Sequence, residues 1–183
     1  MTELDPAVLY RGATIRAIEV ARAIRPEQLD DPTPCSEWSV QDLLDHLVGG
    51  TRSLGAALGG EVTEDPSPGT AEHFASGVAG CLDRLEDPAS LEHRSLSPLG
   101  FEWSGAEAAA GTFMDVLVHT WDLAKATGQD PYLDPALVEA CIAIFLPDTP
   151  ERGRAAGLVG PAIDVPADAS PQDRLLAAMG RRP

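Results

Sequence analysis

Apolar positions recur along most of the chain at the three- and four-residue spacing of helices, and proline and glycine interrupt them where each helix should stop. The first predicted helix starts at the Asp5-Pro6 step, an N-cap acceptor followed by proline at the first helical position. It runs through Val8, Ile15, Ile18 and Ile24 to a stop near Pro26. Gln28 to Glu37 is a connector bearing two prolines. Ser39 with Asp42 then reads as a capping box, and Val40, Leu43, Leu44, Leu47, Thr51, Leu54 and Leu58 form the stripe of a second helix that ends at Gly59-Gly60. Glu61 to Thr70 reads as a loop. Phe74, Val78, Cys81, Leu82 and Leu85 mark a third amphipathic helix, closed by Pro88.

Residues 91–103 lose the helical period and contain Pro98-Leu99-Gly100, which predicts an extended excursion or short hairpin. Ser104 with Glu107 opens the longest helix, which should continue to a C-terminal cap at Gly128. Asp134-Pro135 opens another, with Leu137, Val138, Cys141, Ile142 and Phe145 on its apolar faces and a stop at Pro147. Gly153 to Ala169 reads as irregular. Ser170 to Asp173 starts a short last helix carrying Leu175, Leu176 and Met179 and ending at Gly180. Four main helices plus short ones predict an all-α fold, an up-and-down four-helix bundle with a small extended excursion near 91–103.

Composition narrows the partners more than the fold. With 183 residues the chain fits a single domain, 1–183, carrying a C-terminal extension from about residue 150. A net charge of −16 argues against nucleic acid and against an acidic membrane surface. No apolar run reaches the roughly 18 residues of a membrane span, and Glu3 and Asp5 interrupt any signal-peptide pattern, so the expectation is a cytoplasmic protein. Cys35, Cys81 and Cys141 are odd in number and form no CxxC pair, which speaks against a disulfide framework or a thiolate zinc site.

The candidate chemistry lies in the longest helix. From Ala108 to Leu123 the only charges are Asp115 and Asp122, with His119 between them. Positions four apart differ by only about 40° around a helix, so Asp115 and His119 share a face and can chelate one ion. Phe113, Leu117, Trp121 and Ala124 lie on roughly the opposite side. On the second helix, His46 sits about 60° from Leu43, at the edge of the apolar stripe, where a ligand directed into a bundle belongs. Two histidines and one carboxylate would leave a fourth position open, as in a catalytic zinc site. Because ligating histidines must be neutral, affinity is expected to fall below about pH 6.

Plainer readings stand beside this one. An Asp and His four apart are more often a simple hydrogen-bonded pair. His73 and His93, beside charged neighbours, read as solvated surface. Asp122 can be a ligand, an acceptor that orients a ligand histidine, or an acceptor for a tryptophan N–H, and the second role is favoured. Trp38 and Trp121 are candidates for the site's outer shell or pocket, though tryptophans are more often core. Cys35, just ahead of a helix start, can be an activated thiol, but a small buried hydrophobe is commoner.

At these residues the sequence resembles the DinB/YfiT-like metal-binding bundles, in the branch named for the mycothiol-dependent maleylpyruvate isomerase metal-binding domain. Thr33-Pro34-Cys35-Ser36-Glu37-Trp38-Ser39-Val40, leading to Asp45-His46-Leu47-Val48-Gly49-Gly50, is similar to the family's first motif, whose histidine ligates the metal. The stretch from Asp115 to Ala124 is similar to the second, where an acid and a histidine four apart supply two more ligands. The tail from Val165 to Arg181 resembles the ending of one small subgroup. The characterised isomerase branch uses a glutamate where this chain has Asp115, and this chain is shorter and its tail is unlike the isomerases' C-terminal domain.

The resemblance implies metal ligation by His46, Asp115 and His119, with Zn2+, or Ni2+ or another divalent ion, as cofactor. It further implies mycothiol or a similar low-molecular-weight thiol as cosubstrate, attacking a small electrophile in a transferase or isomerase reaction whose catalytic residues stay unknown. The alternatives are a non-catalytic, metal-stabilised binding or regulatory bundle, and a trio that binds no metal. Pairing through a helix face predicts a homodimer.

Overall fold

The computed structural model describes residues 5–35, 37–61, 67–146 and 148–183. Ser36 of the first motif, the middle of the 61–70 loop and the expected helix stop at Pro147 lie outside the described residues. The chain forms two compact units, residues 1–131 and 132–183.

The first unit contains α1 (Pro6–Arg22), a 3-10 turn (Pro26–Gln28), α2 (Val40–Ala57), α3 (Ala71–Leu85), α4 (Pro88–Glu92), β1 (Arg94–Leu96), β2 (Glu102–Ser104) and α5 (Gly105–Ala126). The starts follow the capping chemistry of the sequence. The Asp5 carboxylate accepts the Ala7 N–H at 2.9 Å. Ser39 with Asp42, and Ser104 with Glu107, form capping boxes that satisfy otherwise orphaned N–H groups at each helix start. Thr70 caps α3 by accepting the His73 N–H. The excursion at 91–103 is an antiparallel hairpin with Ser95 opposite Trp103, but it starts after α4, a single turn opened by Pro88 with Asp87 as its cap. Pro88 therefore begins a helix as well as following one.

α1 packs on α5, α5 on α2, α2 on α3 and α3 on α1, which closes a ring of four long helices around one core. The face that α1 turns inward differs from the obvious one. Val8 and Ile15 remain 64% and 59% exposed, while Leu9, Ala13, Ala17, Val20 and Ala21 are buried. Alanines at 13, 17 and 21 form a stripe of small side chains that permits close packing on α5, where Ala108, Ala109 and Ala124 are also buried. Polar ties fix the ends: Gln28 Nε2 donates to the Thr127 carbonyl at 3.0 Å, and Gln129 Nε2 donates to the Val20 carbonyl at 3.0 Å.

The second unit holds α6 (Pro135–Phe145), α7 (Asp148–Ala155) and α8 (Pro171–Ala178), with α6 packed on both α7 and α8. α7 runs into the stretch expected to be irregular from Gly153. Acidic Asp148 and Glu151 in its first turn and Arg152 and Arg154 in its last complement the helix dipole. Arg154 Nη1 donates to the Ala178 carbonyl, and the Leu133 N–H donates to Gln172 Oε1, both at 2.9 Å. The fold is all-α apart from the hairpin, and no helix among the described residues is long and apolar enough to cross a membrane.

Candidate metal centre

α2 and α5 run antiparallel across the core. His46 meets Asp115, while Leu58, further along α2, meets Gly105 at the start of α5. The buried stripe of α2, with Leu43, Leu47 and Leu54, fixes its rotation and leaves His46 at the stripe's edge, facing α5. α5 is buried on nearly every side between Val116 and Ala124, so its polar side chains there pair within the helix, as Thr120 Oγ1 does with the Val116 carbonyl at 2.7 Å.

His46 Nε2 lies 3.2 Å from Asp115 Oδ1 and 3.0 Å from Oδ2. His119 Nε2 lies 3.4 Å from Asp115 Oδ1. One donor atom from each residue can be chosen so that all three lie within 4.8 Å of one another. Donors held about 2.0–2.2 Å from one ion stand roughly 3.3–3.6 Å apart in a tetrahedral set, so small rotamer shifts bring this trio to ligating distance. Two imidazole nitrogens and a carboxylate oxygen suit a borderline divalent cation.

Asp122 completes the arrangement from below. It has no exposed surface, and its Oδ2 lies 2.9 Å from His119 Nδ1. An N–H donated there leaves Nε2, on the side of Asp115, to carry the lone pair that a metal requires. Asp122 thus lies on the far side of the His119 ring from the trio.

The electrostatics are those of a carboxylate set between two imidazoles. Burial alone would raise the Asp115 carboxyl, but the His119 charge and hydrogen bonds from His119 and His46 outweigh it and hold the group well below the usual carboxylate range. Burial likewise opposes a charged His119, yet Asp115 first and Asp122 second reverse that effect and lift the imidazole to about 9. Both the Asp115 and His46 side chains keep 34% of their surface exposed, so water partly screens the attraction.

Trp38 borders the trio. Its ring centroid is 4.8 Å from that of His46, tilted by 47°, and 5.8 Å from that of His119, nearly parallel at 28°. Trp121 does not join it: two residues beyond His119 it points to the other side of α5, buried, with Lys125 Nζ 5.3 Å from its ring centroid. His73 is exposed. His93 is exposed too, although its Nδ1 lies 3.0 Å from the Ala57 carbonyl oxygen. Cys81 and Cys141 are buried thiols, pushed up to about 11 and about 12 chiefly by burial. Two clefts, one of about 180 Å³ lined by Arg52, Gly77, Cys81 and Arg84 and one of about 450 Å³ lined by Asp83, Arg84 and Asp87, lie away from the trio.

Thr33 and Glu37 belong to the first motif, but sequence alone assigns them no role of their own. They shape the loop that carries Trp38, Thr33 by hydrogen bonds and Glu37 through a left-handed backbone with φ 73°. A threonine two residues ahead of a cysteine signals a turn only weakly, and nothing in a glutamate announces a positive φ.

Residues 10–89 match the family described as the mycothiol maleylpyruvate isomerase N-terminal domain. Two Mycobacterium tuberculosis proteins, uncharacterized protein MT0763 of strain CDC 1551 and uncharacterized protein Rv0738 of strain H37Rv, are each 33% identical to the chain. The alignments span 97% of this chain and 98% of theirs. No solved structure matches it.

Proposed function

Because the chain belongs to the mycothiol maleylpyruvate isomerase N-terminal domain family, we propose that it is a divalent-metal protein, with zinc as the ion, that works on a low-molecular-weight thiol. His46 Nε2, an Asp115 oxygen and His119 Nε2 are the ligands. The convergence of these three groups from two helices, with the far nitrogen of His119 tied to Asp122, is the observation that carries the reading. The shorter Asp115 suffices in place of a glutamate because its carboxylate already reaches both imidazoles.

When bound, the ion supplies a positive charge that lowers the pKa of a thiol such as mycothiol and keeps it as the nucleophilic thiolate. The chain's own residues do the rest. Asp115 neutralises part of the added charge, Asp122 holds His119 in the ligating tautomer, and Trp38 covers one side of the ligand set. A thiolate so held would add to a small electrophile, with a proton taken up by the adduct, to give an S-conjugate, or would be expelled again to give an isomer. The same reading gives an up-and-down four-helix bundle of the DinB-like kind, in the cytoplasm, as a homodimer.

Mixing metal-loaded protein with mycothiol and a panel of small electrophiles tests the reaction. Metal-dependent loss of free thiol, or thiol- and metal-dependent isomerisation of the electrophile, is the expected result, and neither with any member of the panel contradicts a catalytic role.

A further inference from the structure

We propose that Trp38 is the positioning residue of the metal trio. The 29–39 loop is built to hold its indole against the imidazoles of His46 and His119, so that both rings are set before an ion arrives. The proposal rests on the metal reading above.

The loop closes on Trp38 from both directions. The Thr33 N–H donates to the Trp38 carbonyl at 3.1 Å, and the Trp38 N–H donates to the Cys35 carbonyl at 3.1 Å. Thr33 Oγ1 lies 3.0 Å from the carbonyl oxygens of both Cys35 and Trp38 and accepts the Cys35 N–H at 3.2 Å. Pro32 and Ser39 form an antiparallel bridge, and the Val40 and Gln41 N–H groups donate back to Asp31 and Leu29, so the loop's base is sewn to the first turn of α2. Glu37, immediately before the tryptophan, has a φ of 73°. A glutamate adopts that left-handed conformation only where its surroundings over-determine it.

What the loop presents is specific. Trp38 is half-buried, and the aromatic rings it meets are the two imidazoles of the trio. A tryptophan needed only for burial would have no reason to contact both candidate ligands. The His46 side chain is one-third exposed and held at Nε2 by Asp115, and the indole adds the flat contact that sets the tilt of its ring. Freezing a side chain costs conformational entropy, and a loop that fixes the rings at folding removes that cost from metal binding. The indole faces also favour tilted and stacked contacts with flat rings at these separations.

Titration of metal-free protein with Co2+, followed by its visible d–d bands, tests this in wild type, Trp38→Phe and Trp38→Leu. Trp38→Leu is expected to bind Co2+ about tenfold more weakly or worse, with altered band shape, as for other outer-shell partners. Trp38→Phe, which keeps a flat ring, should recover most of the affinity and the wild-type bands. Wild-type affinity and bands in Trp38→Leu overturn the proposal. Should Trp38→Leu fail to fold, Thr33→Val removes the hydroxyl clasp without changing side-chain shape and should weaken Co2+ in the same direction; an unchanged affinity there overturns the proposal. If wild type takes up no Co2+, the metal reading fails by itself. Trp38 is then judged in metal-free protein by the imidazole 15N signals of His46 and His119: a shift or broadening in the variant supports positioning, and identical signals overturn it.

Discussion

Nδ1 of His119 lies 2.9 Å from Oδ2 of Asp122, a carboxylate with no exposed surface. A buried acid on the far nitrogen of an imidazole does two things at once. It selects the tautomer whose Nε2 can ligate, and it makes that nitrogen a better donor.

Asp122→Asn keeps the shape but removes the charge, and its amide can offer a donor where an acceptor is required. Metal affinity should fall by about 10–100-fold, as is usual for such partners. Competition against a chromophoric chelator measures it. An Asn variant that binds as tightly as wild type would show that the contact is merely structural.

The pH dependence has opposite signs in the two states of the protein. In metal-free protein, the raised His119 contributes stability that is fully present below its ordinary value of 6.5 and is lost as pH rises through about 9. The depressed Asp115 contributes stability that is present above 3.8 and is lost as pH falls toward its folded value. Metal must displace the His119 proton, so affinity should rise with pH up to about 9, well above the limit near pH 6 expected from ordinary histidines. Calorimetric titration at neutral pH in two buffers of different ionisation enthalpy should register about one proton released per ion. Binding without proton release would contradict the pairing of His119 with Asp115.

Glycines on α2 and α3 give a prediction about the scaffold. A side chain at Gly77 would collide with Thr51 on α2, so Gly77→Ala should destabilise the protein by about 1–3 kcal/mol. Gly49 and Gly50, one turn beyond His46, have open space where a Cβ would stand. Alanine at either should stabilise α2 by up to about 1 kcal/mol. Urea unfolding of the three variants compares them directly, and equal stabilities would contradict the close approach of α2 and α3.

Much of this was legible in the sequence because it is written locally. Asp5, Ser39, Ser104 and Ser170 each announce a helix start with a side chain that accepts an N–H of the helix's first turn, and each start was found there. The face of α1 was less legible, since alanines bury as readily as Val8 or Ile15 and only the partner helix decides between them. α4 is too short to display a period, and α7, Asp148–Ala155, carries no large apolar side chain to mark one. The trio was half legible: the spacing of Asp115 and His119 puts them on one face, but that His46 meets them depends on how α2 crosses α5. The grip of the loop on Trp38 depends on irregular hydrogen bonds between residues three to five apart and on a positive φ, for which sequence carries no signal.

The most direct measurement is the metal content of protein purified without nickel resin, before and after titration with Zn2+. Wild type should hold one equivalent, and His46→Ala and His119→Ala should each lose it while remaining folded. A folded wild-type protein that takes up no zinc, or alanine variants that hold as much as wild type, would contradict the proposed centre.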